Sequence, residues 1–78
     1  MVTPQQVQSY IEEGLQCSEV RVVGDGEHFE ALVVSEVFRG KSRVQRHQLV
    51  YAALGERLRG EIHALSMRTL TPEEATDG

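Results

Sequence analysis

Apolar residues recur along this chain first at a spacing of three to four and then at a spacing of two. Val7, Ile11 and Leu15, with Tyr10 beside them, form one helical stripe. Thr3-Pro4-Gln5-Gln6 ahead of it supplies a capping hydroxyl, a preset φ and the glutamine of a capping box. The pattern predicts a helix from 4 to about 15. Val20 and Val22 then alternate against Arg21, and Gly24-Asp25-Gly26 follows as a turn that tolerates positive φ. Residues 19–23 therefore read as a strand. His28 to Val34 is β-branched and aromatic, and the connection before it is too short for a crossover, which predicts a second strand antiparallel to the first.

Ser35 to Lys41 has neither period and contains Gly40, so it reads as a turn with Val37 and Phe38 tucked against the core. Ser42 with Gln45 repeats the capping box and opens a second helix. Its apolar face runs through His47, Tyr51, Leu54 and Leu58 with Val50 adjacent, and Gly60 is expected to stop it in a left-handed conformation. Residues 62–69 read as a third strand, with Ile62, Ala64 and Ser66 on one side and His63, Leu65 and Met67 on the other. Thr71-Pro72-Glu73-Glu74 opens a last helix, expected to be a short or frayed tail over 71–78. The fold class is thus α+β in the order α-β-β-α-β(-α), with a three-stranded mixed sheet.

A chain of 78 residues has apolar material for one core, which predicts a single domain over 1–78. No apolar run approaches the roughly 20 residues that cross a bilayer, and the first residues lack the order of a signal peptide. The expectation is a cytoplasmic protein without a membrane partner. Cys17 is the one cysteine, which excludes an internal disulfide and a cysteine-only metal site. It reads as a half-buried small apolar residue rather than a reactive thiol. No serine has a nucleophile-elbow context and the carboxylates are scattered, so a non-enzymatic protein is expected. Gly24-Asp25-Gly26 is followed by a strand and lacks the helix N-terminus of a phosphate cradle.

Two clusters remain. Arg39, Lys41, Arg43 and Arg46 gather four of the eight basic residues around the start of the second helix, a candidate nucleic-acid contact. The net charge of −4 and the lack of interleaved aromatics weigh against it. The α-β-β-α-β order also suggests a K-homology arrangement, but no two glycines are three apart, so its GxxG grip is missing. Histidine is more pointed. A second strand and a parallel third strand begin at the same edge of the sheet, which brings His28 and His63 to one end. Cys17, ahead of the first strand, falls at the other end, on the order of 15 Å away. His47 lies on the inward helix face and reads as structural. The pair His28 and His63 is either an accidental juxtaposition or part of a metal site whose other ligands come from a partner. Rieske-type centres show that paired imidazoles can hold one iron of a two-iron cluster.

Gly24-Asp25-Gly26-Glu27-His28-Phe29, Val33-Val34-Ser35-Glu36 with Phe38 and Gly40, Ser42 to Tyr51, Ile62 to Ser66 and Thr69-Leu70-Thr71-Pro72 together resemble the BolA family. The GDG-x-HF segment is most similar to its bacterial IbaG/YrbA-like branch. The resemblance implies a BolA-like fold related to the type II K-homology (KH-like) arrangement, with its helices on one face of the sheet. It further implies a non-enzymatic partner of a monothiol CGFS-type glutaredoxin, sharing a glutathione-ligated 2Fe-2S cluster in iron trafficking, sensing or stress response. By position His63 matches the family's invariant histidine and His28 its variable-loop ligand, while His47 falls in the RH motif of the second helix. Ala75 departs from the pattern, since an aromatic commonly follows the Thr71-Pro72-Glu73 segment. Stress-linked DNA binding, reported for some BolA-like members, is the alternative that the basic segment would serve. A free chain is expected to be a monomer or weak homodimer.

Overall fold

The computed structural model describes residues 2–77. Helix α1 (Pro4–Gly14) starts at Thr3, whose hydroxyl accepts from the Gln6 amide while the Gln6 side chain accepts from the Thr3 amide. Strands β1 (Glu19–Gly24) and β2 (His28–Val34) pair antiparallel, with Glu19 opposite Val34 and Gly24 opposite Phe29. A 3-10 turn (Glu36–Phe38) leads to α2 (Arg43–Leu54), a short α3 (Arg57–Gly60), β3 (Ala64–Leu70) and α4 (Pro72–Asp77). The sheet order is β1-β2-β3, so β2 is central and β3 runs parallel to it, with His28 opposite Ala64 and Val34 opposite Leu70. This is the mixed α+β arrangement that the patterning predicts. None of the described helices is long and apolar enough to cross a membrane.

Alternation sorts the sheet into two faces. Phe29, Ala31 and Val33 of β2 and Val20 of β1 are buried, and they meet Val7 and Ile11 of α1, Phe38, Val50 and Leu54 in one core. The opposite face carries Arg21, Val23, Glu30, Ser66 and Arg68, all exposed. Both phenylalanines are almost fully enclosed, and each contributes about 1.5–3 kcal/mol of burial free energy. Ser35 fastens the end of the sheet away from the hairpin. Its amide donates to Leu70 O at 2.9 Å, its hydroxyl to Gln16 O at 2.5 Å, and the same hydroxyl accepts from the Val37 amide.

Four local expectations are corrected. The second helix ends at Leu54, because Gly55 takes φ +61° and its amide donates to Tyr51 O at 2.9 Å. Gly60 stays within α3 and has no positive φ. Length explains the choice: continuing to Gly60 would give a helix of about 27 Å, overshooting a seven-residue strand of about 23 Å beside which the chain must return. The inward stripe of α2 is Val50 and Leu54, while Tyr51, one position round the helix, is 40% exposed. In the 3-10 turn only Phe38 is buried and Val37 faces out, since a single turn of three residues directs one side chain inward. Finally β3 begins at Ala64; Ile62 reaches the core from the bend before it, and Leu65, Met67 and Thr69 face the helices.

The last helix is tied rather than frayed. Thr71 and Glu74 form a reciprocal cap, and the Glu74 carboxylate also receives the Arg46 guanidinium at 2.7 and 3.3 Å. Arg46 reaches there across Thr69 O at 3.1 Å, with its guanidinium 5.9 Å from the Phe38 ring centre. Arg46 first, and then the Thr71 amide, pull Glu74 down to about 2. A depressed carboxylate adds stability that is complete above its ordinary value of 4.5 and is lost as the pH falls through the folded value. The α4 contacts should therefore persist at pH 4 and disappear as the pH approaches 2, followed through the Thr71 amide and Arg46 side-chain resonances. Glu74→Gln should remove that step from the titration.

Candidate metal-ligating site

His28 opens β2, and its position is set by the hairpin before it. The Asp25 carboxylate accepts from the amides of Glu27 and His28 at 3.0 and 2.9 Å, and the Asp25 amide donates back to His28 O at 3.3 Å. This Asx-type closure fixes the chain where a positive φ at Gly26 (102°) turns it. The amides of His28 and Glu27, in that order, hold the Asp25 carboxyl below its usual range. Gly24 is required for a different reason. A Cβ there would lie 2.5 Å from His28 O and 2.7 Å from the Phe29 ring, so only glycine lets β1 pass this close to the start of β2.

His63 comes from the other side of the sheet's topology, one residue ahead of β3. The Ala64 amide donates to Glu27 O at 3.0 Å, which stitches the start of β3 to the hairpin. The segment leading to His63 is held from α1: the Tyr10 hydroxyl donates to Glu61 Oε1 at 3.0 Å, and the Arg57 guanidinium sits 4.0 Å from the Tyr10 ring centre. Arg57 also lies 3.8 Å from Glu13. The Glu61 carboxylate is the main reason the Tyr10 hydroxyl is pushed above its ordinary pKa, with desolvation adding to it.

The two imidazoles meet as the topology predicts, exposed, with ring centres 5.9 Å apart and planes at 85°. Imidazole nitrogen is a good iron ligand, and both rings are open to an incoming molecule, so the donor set fits a shared site. Among the described residues no group of three or more His, Cys, Asp or Glu side chains is placed to hold a metal ion. Whatever binds between these rings must bring ligands of its own. Cys17 is at the far end of the sheet, where the Ser18 amide donates to Val34 O. Its half-buried thiol donates to Leu15 O at 3.2 Å, and burial first, then Glu12, push its pKa up. His47 is half-buried on α2 and belongs to neither end.

The basic segment is divided. Arg39 is paired with Glu36 and Glu73, and those two carboxylates raise its pKa further. Arg46 is engaged by Glu74, as described above. Lys41 and Arg43 are exposed and make no ion pair among the described residues. Sequence reading misses Asp25 and Gly24 as positioning residues, although Asp-Gly is a familiar turn signal. It also misses the Tyr10 tether, which joins residues 51 positions apart and leaves no local trace.

Comparison with known proteins places this geometry in context. A family model described as BolA-like protein matches residues 7–74. The acid stress protein IbaG of Escherichia coli K12 is 43% identical over 70 residues, covering 88% of this chain and 83% of the relative. The DNA-binding transcriptional regulator BolA of Haemophilus influenzae is 45% identical over 51 residues, covering 65% of this chain and 50% of that protein. The structure of a BolA protein homologue from Coxiella burnetii superposes with a TM-score of 0.85 at 48% identity, over 97% of this chain and 99% of that one.

The Gly24 contact makes a direct prediction. Gly24→Ala should destabilise the fold by about 1–3 kcal/mol, the usual range for overpacking, measured by urea denaturation. Nuclear Overhauser contacts between the His28 and His63 rings should weaken in the same variant, because the backbone that must give way belongs to His28.

Proposed function

The chain belongs to the BolA family, and on that premise we propose that it is a non-enzymatic iron-sulfur accessory protein. In this reading it docks on a monothiol CGFS-type glutaredoxin and shares a 2Fe-2S cluster with it. The glutaredoxin cysteine and glutathione supply ligands on one side, and His28 and His63 supply them on the other. The observation that carries the reading is the pair of exposed imidazoles 5.9 Å apart at one end of the sheet. Two donors suit half of a cluster's ligand set and leave the rest to a partner. When bound, the cluster supplies iron centres that accept imidazole nitrogen.

This chain's part is to present those nitrogens. Asp25 and Gly24 hold His28 in place, and the Glu27–Ala64 bond with the Tyr10–Glu61 tether holds His63. Acid stress, for which the Escherichia coli relative is named, is the setting we assign to this activity.

Mixing the protein with apo-glutaredoxin, iron, sulfide and glutathione should give a heterodimer whose visible absorption and circular dichroism differ from those of the glutaredoxin homodimer. His63→Ala should shorten the cluster's lifetime by at least the roughly tenfold that even outer-shell changes cost. A spectrum and lifetime indifferent to His63→Ala would overturn the reading.

A second reading, a DNA-binding regulator, draws support from the exposed Lys41 and Arg43 and from the name of the Haemophilus influenzae relative. Against it, the carboxylates of Glu36, Glu73 and Glu74 already engage Arg39 and Arg46. It predicts duplex binding at low salt, with the salt slope reduced by about one for each of Lys41→Gln and Arg43→Gln. Absence of any gel retardation at low salt would retire it.

A further inference from the structure

Strand β3 lies at the edge of the sheet, and half of its backbone groups have no strand to meet. Two bonds fix which half. The Ala64 amide donates to Glu27 O, and Leu70 O accepts from the Ser35 amide, so residues of that parity face β2. Leu65, Met67 and Thr69 therefore turn their N–H and C=O groups outward. Thr69 O bears this out, because it accepts from Arg46 of α2 at 3.1 Å. Among the described residues, the groups left without a partner are the complete pair on Leu65 and on Met67, together with the Thr69 amide. Beside them runs a groove of about 460 Å³ between β3 and α2.

The groove is cationic in a chain of net charge −4. Arg43 stands on the helix side and Arg68 on the open sheet face; both are exposed and without an ion pair among the described residues. His47 is half-buried in the same wall as Arg43. Among the described residues the one carboxylate lining the groove, Glu74, is already engaged by Arg46.

We propose that this groove binds an extended acidic peptide segment of a partner protein, which adds to the sheet as a strand along the free edge of β3. Backbone pairing at Leu65, Met67 and Thr69 supplies the affinity, as in other strand-addition complexes. Successive side chains of an added strand point to opposite faces. One set of carboxylates therefore meets Arg43 and His47, the alternate set meets Arg68, and the segment carries acids at both parities. A nucleic-acid strand matches less well. The outward carbonyls of Leu65 and Met67 repel phosphate, and among the described residues no Phe, Tyr or Trp lines the groove, leaving only the half-buried His47 ring for stacking. The site is separate from the histidine pair and holds whether or not that pair ligates iron.

The test uses the full chain and a blocked nine-residue peptide of valine and glutamate with acids on both faces. Titration followed by NMR should shift the Leu65, Met67 and Thr69 amides and slow their hydrogen exchange. Arg43→Gln and Arg68→Gln should each weaken binding about threefold, and together about tenfold, as exposed charge pairs do. The same peptide methylated at successive backbone nitrogens, so that neither edge can pair, should not bind, and His63→Ala should bind the unmodified peptide normally. The proposal is overturned if the methylated peptide binds equally well, if both arginine variants leave the affinity unchanged, or if single-stranded oligothymidylate displaces the peptide.

Discussion

The parallel pairing of β2 with β3 is the interaction on which both ends of this molecule depend. Its register, His28 opposite Ala64 through Val34 opposite Leu70, is enforced by burial. A slip by one residue would turn Leu65, Met67 and Thr69 away from the helices and expose them on the open face. The same register places His63 one step ahead of β3, beside the first residue of β2. The core therefore fixes the meeting of two histidines that lie 35 positions apart in the chain. Two rings brought together in this way need little local strain to stay together. Most of their placement is supplied by Phe29 and its buried neighbours rather than by contacts of the imidazoles themselves.

The two ends of the sheet are built on different chemistry. At the hairpin end, exposed groups converge: the Asp25 carboxylate closes the turn, and two imidazoles face solvent. At the far end, buried polar groups close on one another around Ser35, and the Cys17 thiol is half-covered with a raised pKa. Reactive groups are thus segregated from the structural clamp. Their separation follows from β1 and β2 running in opposite directions, which places the residue before β1 beside the end of β2.

Arg46 connects the remaining parts. From the first half of α2 it bonds Thr69 O on β3 and Glu74 on α4, and it lies near the Phe38 ring. At 13% side-chain exposure it is mostly enclosed, so it serves the packing of three elements and has little charge left to offer a ligand. Arg43, one turn earlier, and Arg68 across the groove have no such duty. A basic segment that looks uniform along the chain is therefore split by the fold into arginines that hold the structure and cations that remain available.

Much of this was legible along the chain. The Thr3 and Ser42 capping boxes, the Gly24-Asp25-Gly26 turn, the two strands around it and the convergence of His28 and His63 all follow from periodicity and connection length. These are local properties, or consequences of topology that local properties imply. Which glycine ends α2 was not legible, because Gly55 and Gly60 are equally able to do so; the distance back to β3 decides it. Nor was the inward stripe of α2, where Tyr51 and Val50 differ by one position and only packing against the sheet distinguishes them. The Tyr10–Glu61 tether and the Arg46–Glu74 pair join residues distant in the chain, and side-chain contacts of that kind come into being only after the backbone has brought their partners within reach. The sequence by itself determined the elements and their order, since helix and strand periods are written in neighbouring residues. Tertiary structure alone decided where the elements stop and which charges are consumed, since both depend on distances across the core.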